Sequence, residues 1–232
     1  MNEIYYEDCL KVLPFIPDKS IDLCFTDPPW GHSYNGQRPM GINTKTEHTE
    51  RVNYSDDFDV EFNLAWFHEI KRICKRIVIA MGWKHFNWWV ENTHPVGYFI
   101  WHFKNGQGST KISQFNSVHP LLCYGDWKDK KFRYNCRETY IRNGFLNDAK
   151  EHKFKHPSPK PFEDWVLLIK ELEPESLIDP FLGSGTLAEV GEFLQVPYVG
   201  IEVKKEYKDD IDFRIKRGRK RRNFLISSFL EV

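Results

Sequence analysis

The sequence predicts an α/β fold in which helices cover a mostly parallel sheet of roughly seven strands. Two observations predict this class. Helical patterns alternate with short apolar runs along the chain, which is the order of strand-helix-strand units. The apolar segment "SLID" also runs through the turn Gly183-Ser184-Gly185 into a helical pattern, as in the ligand-binding turns of parallel sheets. A single domain over residues 1–232 is expected, because this length allows one full hydrophobic core.

The first half of the chain is expected to supply most of the strands. In "SIDLCFT", Ile21, Leu23 and Phe25 alternate with other residues and indicate a strand, which must end where Pro28 and Pro29 remove two ladder donors. The helical spacing of "EFNLAWFHEIKRICKR" predicts an amphipathic helix, and "KHFNWWVENT" a second one. Further strands are expected, in chain order, at "EIYY", "IVIAMG", "GYFIWHFK" and "VHPLLCYG".

The second half is expected to alternate helix and strand, as "PFEDWVLLIKEL", "SLID", "LAEVGEFLQ" and "YVGIEV". Three segments fall outside the alternation. Residues 31–57 are polar without periodicity and are predicted to form a mobile loop. Residues 126–155 are interpreted as a small insertion, and residues 214–232 as a basic and then apolar C-terminal tail.

Composition excludes several classes of protein. Lys plus Arg equal Asp plus Glu at 33 each, so the chain is not a polycation that coats nucleic acid by bulk charge. The five cysteines are scattered without a CxxC pair, which predicts neither a metal site nor a disulfide framework and favours a reducing, cytoplasmic environment. Neither a signal peptide nor a membrane span is expected.

The glycine turn and the next strand predict a nucleotide-like ligand. Gly183 and Gly185 allow close approach of a ligand to the backbone, and Glu202 ends the following strand 17 residues after Gly185. An acid at that place holds ribose hydroxyls in nucleotide-binding folds. Thr186 stands where a phosphate-binding loop needs lysine, so an adenosine compound without a polyphosphate is expected.

The quartet Asp27-Pro28-Pro29-Trp30 suits methyl transfer to an exocyclic amine of a base. Such an amine is a poor nucleophile, because its lone pair is delocalised into the ring. The Asp27 carboxylate and the Pro28 carbonyl could accept hydrogen bonds from it, while the prolines fix the backbone. Trp30 offers a flat face for a base taken out of its stack.

Four motifs in order resemble a known family: TDPPW at 26–30, HPSPKP at 156–161, DPFLGSGT at 179–186 and GIE at 200–202. Together they are similar to the S-adenosylmethionine-dependent amino-methyltransferases of DNA, in the permuted motif order of the β class. The resemblance implies a Rossmann-like, doubly wound sheet of seven strands with one antiparallel strand. It implies that the strand near residues 3–6 lies beside "YVGIEV", and that the strand ending at Asp179 lies beside the strand ending at Thr26.

The resemblance also implies which residues hold S-adenosylmethionine. Phe181 and the glycine turn would border it, Glu202 would hold its ribose, and the HPSPKP segment would close over it. The commoner form of that segment is HPTQKP, and Glu7 replaces the glycine of the family's "GD" segment. The full expected set is Asp8, Cys9, Asp27, His156, Ser158, Lys160, Asp179, Phe181, Gly183, Ser184, Gly185, Thr186 and Glu202.

Asp at the first catalytic position is similar to the N6-adenine enzymes, whereas N4-cytosine enzymes more often carry Ser there. A DNA adenine methyltransferase is therefore the favoured function. Cytosine-N4 or RNA amino-methylation is the alternative, and a non-catalytic nucleic-acid-binding module is a remote one. A second copy of the chain or a cognate restriction enzyme is the expected protein partner.

Contacts with double-stranded DNA are expected from the insertion, where basic side chains interleave with aromatic ones. The resemblance places target recognition in the same region. The predicted DNA-binding residues are Lys128, Lys130, Lys131, Arg133, Arg137 and Arg142.

Overall fold

The computed structural model describes residues 2–29, 64–82, 86–103, 118–127, 136–139 and 151–230. Its strands are β1 (Glu3–Tyr5), β2 (Ile21–Thr26), β3 (Cys74–Ala80), β4 (Gly97–Phe103), β5 (Val118–Gly125), β6 (Cys136–Thr139), β7 (Leu177–Asp179) and β8 (Tyr198–Ile201). Its α-helices are α1 (Cys9–Val12), α2 (Ala65–Ile73), α3 (Phe86–Thr93), α4 (Phe162–Leu172), α5 (Thr186–Leu194) and α6 (Lys208–Leu230). Short 3-10 turns lie at Leu13–Phe15 and Lys205–Tyr207.

The described strands form one sheet in the order β1-β8-β7-β2-β3-β5-β4-β6. All neighbours pair in parallel except β5, which is antiparallel to both β3 and β4. The mostly parallel α/β class is confirmed. The sheet has one strand more than expected, because the short β6 pairs with the edge of β4 from within the predicted insertion, where no alternation signals a strand.

The two strand neighbours implied by the resemblance are both present. β1 pairs with β8, with Ile4 opposite Gly200, although β1 comes first in the chain. β7 lies between β8 and β2, with Ile178 opposite Cys24. The carboxyl ends of β2, β7 and β8 therefore meet at one edge of the sheet, where ligands bind in open α/β sheets.

Helices cover both faces of the sheet. On one face α4, α5 and the start of α6 pack on inward side chains such as Leu23, Val78 and Leu121. On the other face α1, α2 and α3 pack on Cys24, Ile77 and their neighbours. Alternate residues of one strand thus serve opposite cores, as expected of strands that are buried on both sides. The doubly wound arrangement follows from these two separate cores.

The basic run 214–222, which was expected from the sequence to belong to a C-terminal tail, lies within α6, and this helix continues to Leu230. Glu189 of α5 is fully buried and pairs with Arg214 and Arg217 at 2.8 and 2.6 Å. Arg219 pairs with Glu192. These ion pairs fasten α6 across α5, because a buried charge is stable only when it is paired. None of the helices in the described ranges is long and apolar enough to cross a membrane.

Candidate active site

The ends of β2 and β7 are joined by a direct side-chain hydrogen bond. Thr26, the last residue of β2, donates through Oγ1 to Oδ1 of Asp179, the last residue of β7, over 2.7 Å. Both side chains are buried. Since Asp27 follows Thr26 directly, the bond fixes where the TDPP segment leaves the sheet relative to the glycine turn.

Asp179 is a buried carboxyl in a negative environment. Burial raises its pKa to about 7, although hydrogen bonds from Thr26 and from the Phe181 backbone N–H lower it. The charges of Asp27 and Glu202 also raise the pKa of Asp179. The carboxyl groups at the ends of β2 and β8 are therefore both within electrostatic reach of Asp179, an arrangement that favours a cationic ligand.

The turn between β7 and α5 needs glycine at two places. Gly183 and Gly185 have φ of 56° and 90°, in the left-handed region that glycine adopts without strain. A Cβ on Gly183 would lie 2.9 Å from Nε2 of His156, so the imidazole sits directly on the turn. Beside them Ser184 and Thr186 are buried, and the Thr186 hydroxyl donates to the Lys160 carbonyl over 3.2 Å.

Glu202 holds the glycine turn through its side chain. Its two carboxylate oxygens accept the backbone N–H groups of Gly183 and Lys204, each at 2.8 Å. Burial raises the pKa of Glu202, and these two hydrogen bonds oppose the rise. The acid that the sequence placed at the end of a strand is thus an integral part of the turn.

The HPSPKP segment is anchored to the start of α6. The buried Asp210 carboxylate accepts the backbone N–H groups of Lys155 and His156 at 2.9 Å and contacts Nε2 of His152 at 2.8 Å. Nδ1 of His156 accepts the Ser158 N–H over 3.1 Å. Burial lowers the pKa of His156 to about 3, so this imidazole is neutral at physiological pH.

Lys160 closes the site by an ion pair between its Nζ and Oδ2 of Asp27. Its backbone carbonyl accepts a hydrogen bond from Arg214 over 2.9 Å. The charges of Asp27 and Lys160 also act, in opposite directions, on His119 of β5, whose pKa burial lowers to about 4. Asp27, Lys160, His119 and His156 thus share one electrostatic environment at the carboxyl edge of the sheet.

The remaining predicted site residues lie beside Asp27, at α1 or in β6, or outside the described part of the chain. Asp8 caps α1 by accepting the Leu10 N–H over 2.9 Å, and Cys9 lies in the core cluster on which Phe181 packs. Pro28 is buried and Pro29 partly buried. Trp30 and the loop 31–57 lie outside the described residues, as do Lys128, Lys130, Lys131, Arg133 and Arg142. For Arg137 the structure describes only the backbone, in β6.

Sequence reasoning missed His119, Asp210 and Arg214. His119 occupies an ordinary strand pattern, and the two α6 residues lie in or before a basic run that resembles a solvated surface. Only the fold brings them to the site, so no local signal could have found them. Among the described residues, no cluster of His, Cys, Asp and Glu could hold a metal ion.

Comparison with known proteins identifies a family whose sequence profile matches this chain. The profile of the N6_N4_Mtase family, described as DNA methylase, matches residues 87–213. The chain is 26% identical over 270 aligned positions to the Type II methyltransferase M.HinfI of Haemophilus influenzae, covering all of this chain and 73% of that protein.

Solved structures agree on the fold. The M1.HpyAVI-SAM complex superposes with a TM-score of 0.62 at 19% identity, covering 93% of this chain and 99% of that one. The PvuII DNA methyltransferase, described as cytosine-N4-specific, gives a TM-score of 0.63 at 18% identity, covering 96% and 92%. The architecture derived above from strand order is therefore shared with both structures.

Proposed function

This chain belongs to the N6_N4_Mtase family of DNA methylases, and we propose that it transfers a methyl group from S-adenosylmethionine to the N6 amine of an adenine flipped out of double-stranded DNA. One observation carries the proposal. Asp27 leaves the sheet beside the glycine turn, because Thr26 and Asp179 are bonded at 2.7 Å. An acceptor for an amine and a turn suited to an adenosine ligand thus lie at adjacent strand ends.

The residues at the strand ends fit S-adenosylmethionine in charge. Its sulfonium and amino groups are positive, and the carboxyl groups of Asp27 and Glu202 both lie within electrostatic reach of Asp179. The turn from Gly183 to Thr186 carries no lysine for a polyphosphate. We propose that Asp8, Cys9, Asp27, His156, Ser158, Lys160, Asp179, Phe181, Gly183, Ser184, Gly185, Thr186 and Glu202 border the donor, with Glu202 at the ribose.

S-adenosylmethionine, when bound, supplies an electrophilic methyl carbon. The chain contributes acceptors for the amine that receives it. Hydrogen bonds from the amine to the Asp27 carboxylate and the Pro28 carbonyl would localise the nitrogen lone pair and turn it toward the methyl group. Transfer would form the N–C bond while the C–S bond of the donor breaks and leaves a neutral thioether. The proton that the amine loses would go to the Asp27 carboxylate. Trp30 would stack on the flipped base.

Catalysis by this site is mainly a matter of position. The prolines after Asp27 restrict the backbone, and the Thr26–Asp179 bond fixes the strand end. Holding two reactants in line converts a bimolecular encounter into an effectively unimolecular step. The residues of β2 and β7 therefore matter for geometry as much as for charge.

The choice of adenine rests on the carboxylate at position 27, since the N6-adenine enzymes that the motif resembles carry Asp there. Cytosine N4 is the second candidate, because the PvuII enzyme, which shares the fold, is described as cytosine-N4-specific. Both bases present an amine conjugated to a ring, so the same acceptor chemistry serves either one.

The deciding experiment is incubation with labelled S-adenosylmethionine and, in parallel reactions, duplex DNA or RNA, followed by digestion to nucleosides. Label in N6-methyladenine supports the proposal, and label in N4-methylcytosine replaces it by the second candidate. Label only on RNA would assign an RNA amino-methyltransferase. A chain that binds DNA and donor but labels nothing would be a non-catalytic module.

We further propose that Lys128, Lys130, Lys131, Arg133, Arg137 and Arg142 contact the DNA from the insertion. Phosphate contacts make affinity depend on salt. A second copy of the chain or a cognate restriction enzyme of a restriction-modification system is the proposed protein partner, in the cytoplasm. Replacing the six basic residues by glutamine should weaken binding and flatten the salt dependence.

A further inference from the structure

The HPSPKP segment contacts Asp27 directly, because it contains Lys160, whose ammonium pairs with the Asp27 carboxylate. The Lys160 ammonium pairs with Oδ2 of Asp27, and the two side chains are 30% and 18% exposed. This partial burial shields the pair from water, so it is stronger than a fully exposed surface pair. The contact crosses the chain from the HPSPKP segment to the end of β2.

The position of Lys160 is fixed by its backbone. Its carbonyl accepts hydrogen bonds from the Arg214 guanidinium at 2.9 Å and from the Thr186 hydroxyl at 3.2 Å. Pro159 and Pro161 flank it, and a residue before proline is restricted to extended backbone. The backbone from which the Lys160 side chain extends is therefore held in place by α5 and α6.

We infer that Lys160 is a positioning residue for the reaction: its ammonium holds the Asp27 carboxylate in the orientation that accepts the amine of the target base. The inference rests on the proposed function. A carboxylate offers about four lone-pair sites, so an ion pair at Oδ2 is compatible with an amine donor on the same group. The ammonium also balances the charge that Asp27 adds beside Asp179.

A positioning role differs from donor binding in its kinetic signature. If Lys160 orients Asp27, its loss lowers kcat and leaves the affinity for S-adenosylmethionine nearly unchanged. If Lys160 only contacts the donor, its loss weakens donor binding and leaves kcat nearly unchanged. Arginine keeps the charge and can still reach a carboxylate, so Lys160→Arg should restore part of the activity.

The test uses full-length Lys160→Met, Lys160→Arg and, as matched control, Lys155→Met. Lys155 lies in the same stretch of chain, and its ammonium pairs with Asp209 at 2.6 Å on the exposed surface. We expect kcat to fall about 10- to 100-fold in Lys160→Met, by the scale of lost orientation effects. It should recover in part in Lys160→Arg and stay near wild type in Lys155→Met. Donor dissociation constants from calorimetry should stay within threefold.

Two results would overturn the inference. One is a Lys160→Met variant whose kcat matches that of Lys155→Met. The other is an unchanged kcat with a donor dissociation constant raised more than tenfold, which would show that Lys160 acts on donor binding alone. Partial recovery of kcat in Lys160→Arg, with an unchanged donor dissociation constant, would support the inference. Arginine restores the positive charge beside Asp27, which a methionine cannot supply.

Urea unfolding separates failure of this inference from failure of the proposed function. The midpoints of Asp27→Asn, Lys160→Met and the double variant form a cycle that needs no activity. Non-additive shifts support the pair even if the wild type methylates no nucleic acid, in which case the proposed function alone fails. Additive shifts would overturn the pair whatever the enzyme does.

Discussion

Thr26 and Asp179 are 153 positions apart in the chain, yet the hydroxyl of one donates to the carboxyl of the other over 2.7 Å inside the protein. The bond joins the ends of two adjacent parallel strands. It therefore holds the residue after each strand in place. After β2 that residue is Asp27. After β7 it is the first residue of the glycine turn, which Glu202 holds through the Gly183 N–H.

Asp27→Ala should nearly abolish methyl transfer while leaving donor affinity mostly intact. The variant removes the proposed acceptor of the amine, and such a group contributes about 10²- to 10⁴-fold to rate. Single-turnover rates and calorimetric titration with S-adenosylmethionine would measure both. Asp18→Ala is the control, because Asp18 is exposed and pairs with Arg72 before β2 begins. Activity of Asp27→Ala within a few-fold of wild type would rule out the role given to Asp27.

Glu202→Gln should weaken donor binding about 10- to 100-fold. The glutamine keeps one oxygen to accept the Gly183 or Lys204 N–H but loses the charge, and hydrogen bonds to charged groups contribute about 1.5–3 kcal/mol. Calorimetry measures the change, with the exposed Glu206→Gln as control. An affinity within twofold of wild type would contradict the assignment of Glu202 to the ribose.

The motifs predicted which strand ends meet, because each motif marks a strand end and the resemblance fixes the strand order. They could not predict where every element begins. The helix expected to reach Arg76 ends at Ile73, and Arg76 instead lies buried in β3. There it pairs with Asp22 at 2.7 Å. That partner is 54 positions away, so no local periodicity reveals it.

The basic run 214–222 shows the same limit. Read along the chain, it resembles a solvated tail, because consecutive charges usually face water. In three dimensions Arg214, Arg217 and Arg221 are spaced to share one helix face, and Glu189 lies beneath that face. The distinction between an exposed and a buried charge depends on a partner that only the tertiary fold supplies.

Glu189→Gln should destabilise the protein by about 3–5 kcal/mol, because it removes the buried carboxylate that pairs with both Arg214 and Arg217. Urea unfolding at neutral pH measures the loss. The matched control is Glu7→Gln, whose exposed pair with Lys11 should leave the midpoint unchanged. Equal midpoints for the two variants would show that α6 is held by apolar packing rather than by this ion-pair network.

Asp179→Asn should stabilise the protein increasingly as pH rises from 4 to 8. Asparagine still offers Oδ1 to Thr26 and to the Phe181 N–H but never ionises in the buried site. In the wild type the pKa of Asp179 is about 7 when folded and 3.8 as a free side chain. Between these values the folded state binds a proton that the unfolded state does not, so wild-type stability falls with rising pH.

The advantage of Asp179→Asn should therefore grow by up to about 4 kcal/mol across this window, at about 1.4 kcal/mol for each unit of pKa shift. His119 and His156 act in the opposite sense in both proteins, since their lowered pKa values, about 4 and about 3, make stability rise with pH up to about 6.5. Subtracting the two urea-unfolding profiles removes their contribution. A difference that stays constant with pH would show that burial and the neighbouring carboxylates do not raise the pKa of Asp179 in the folded state.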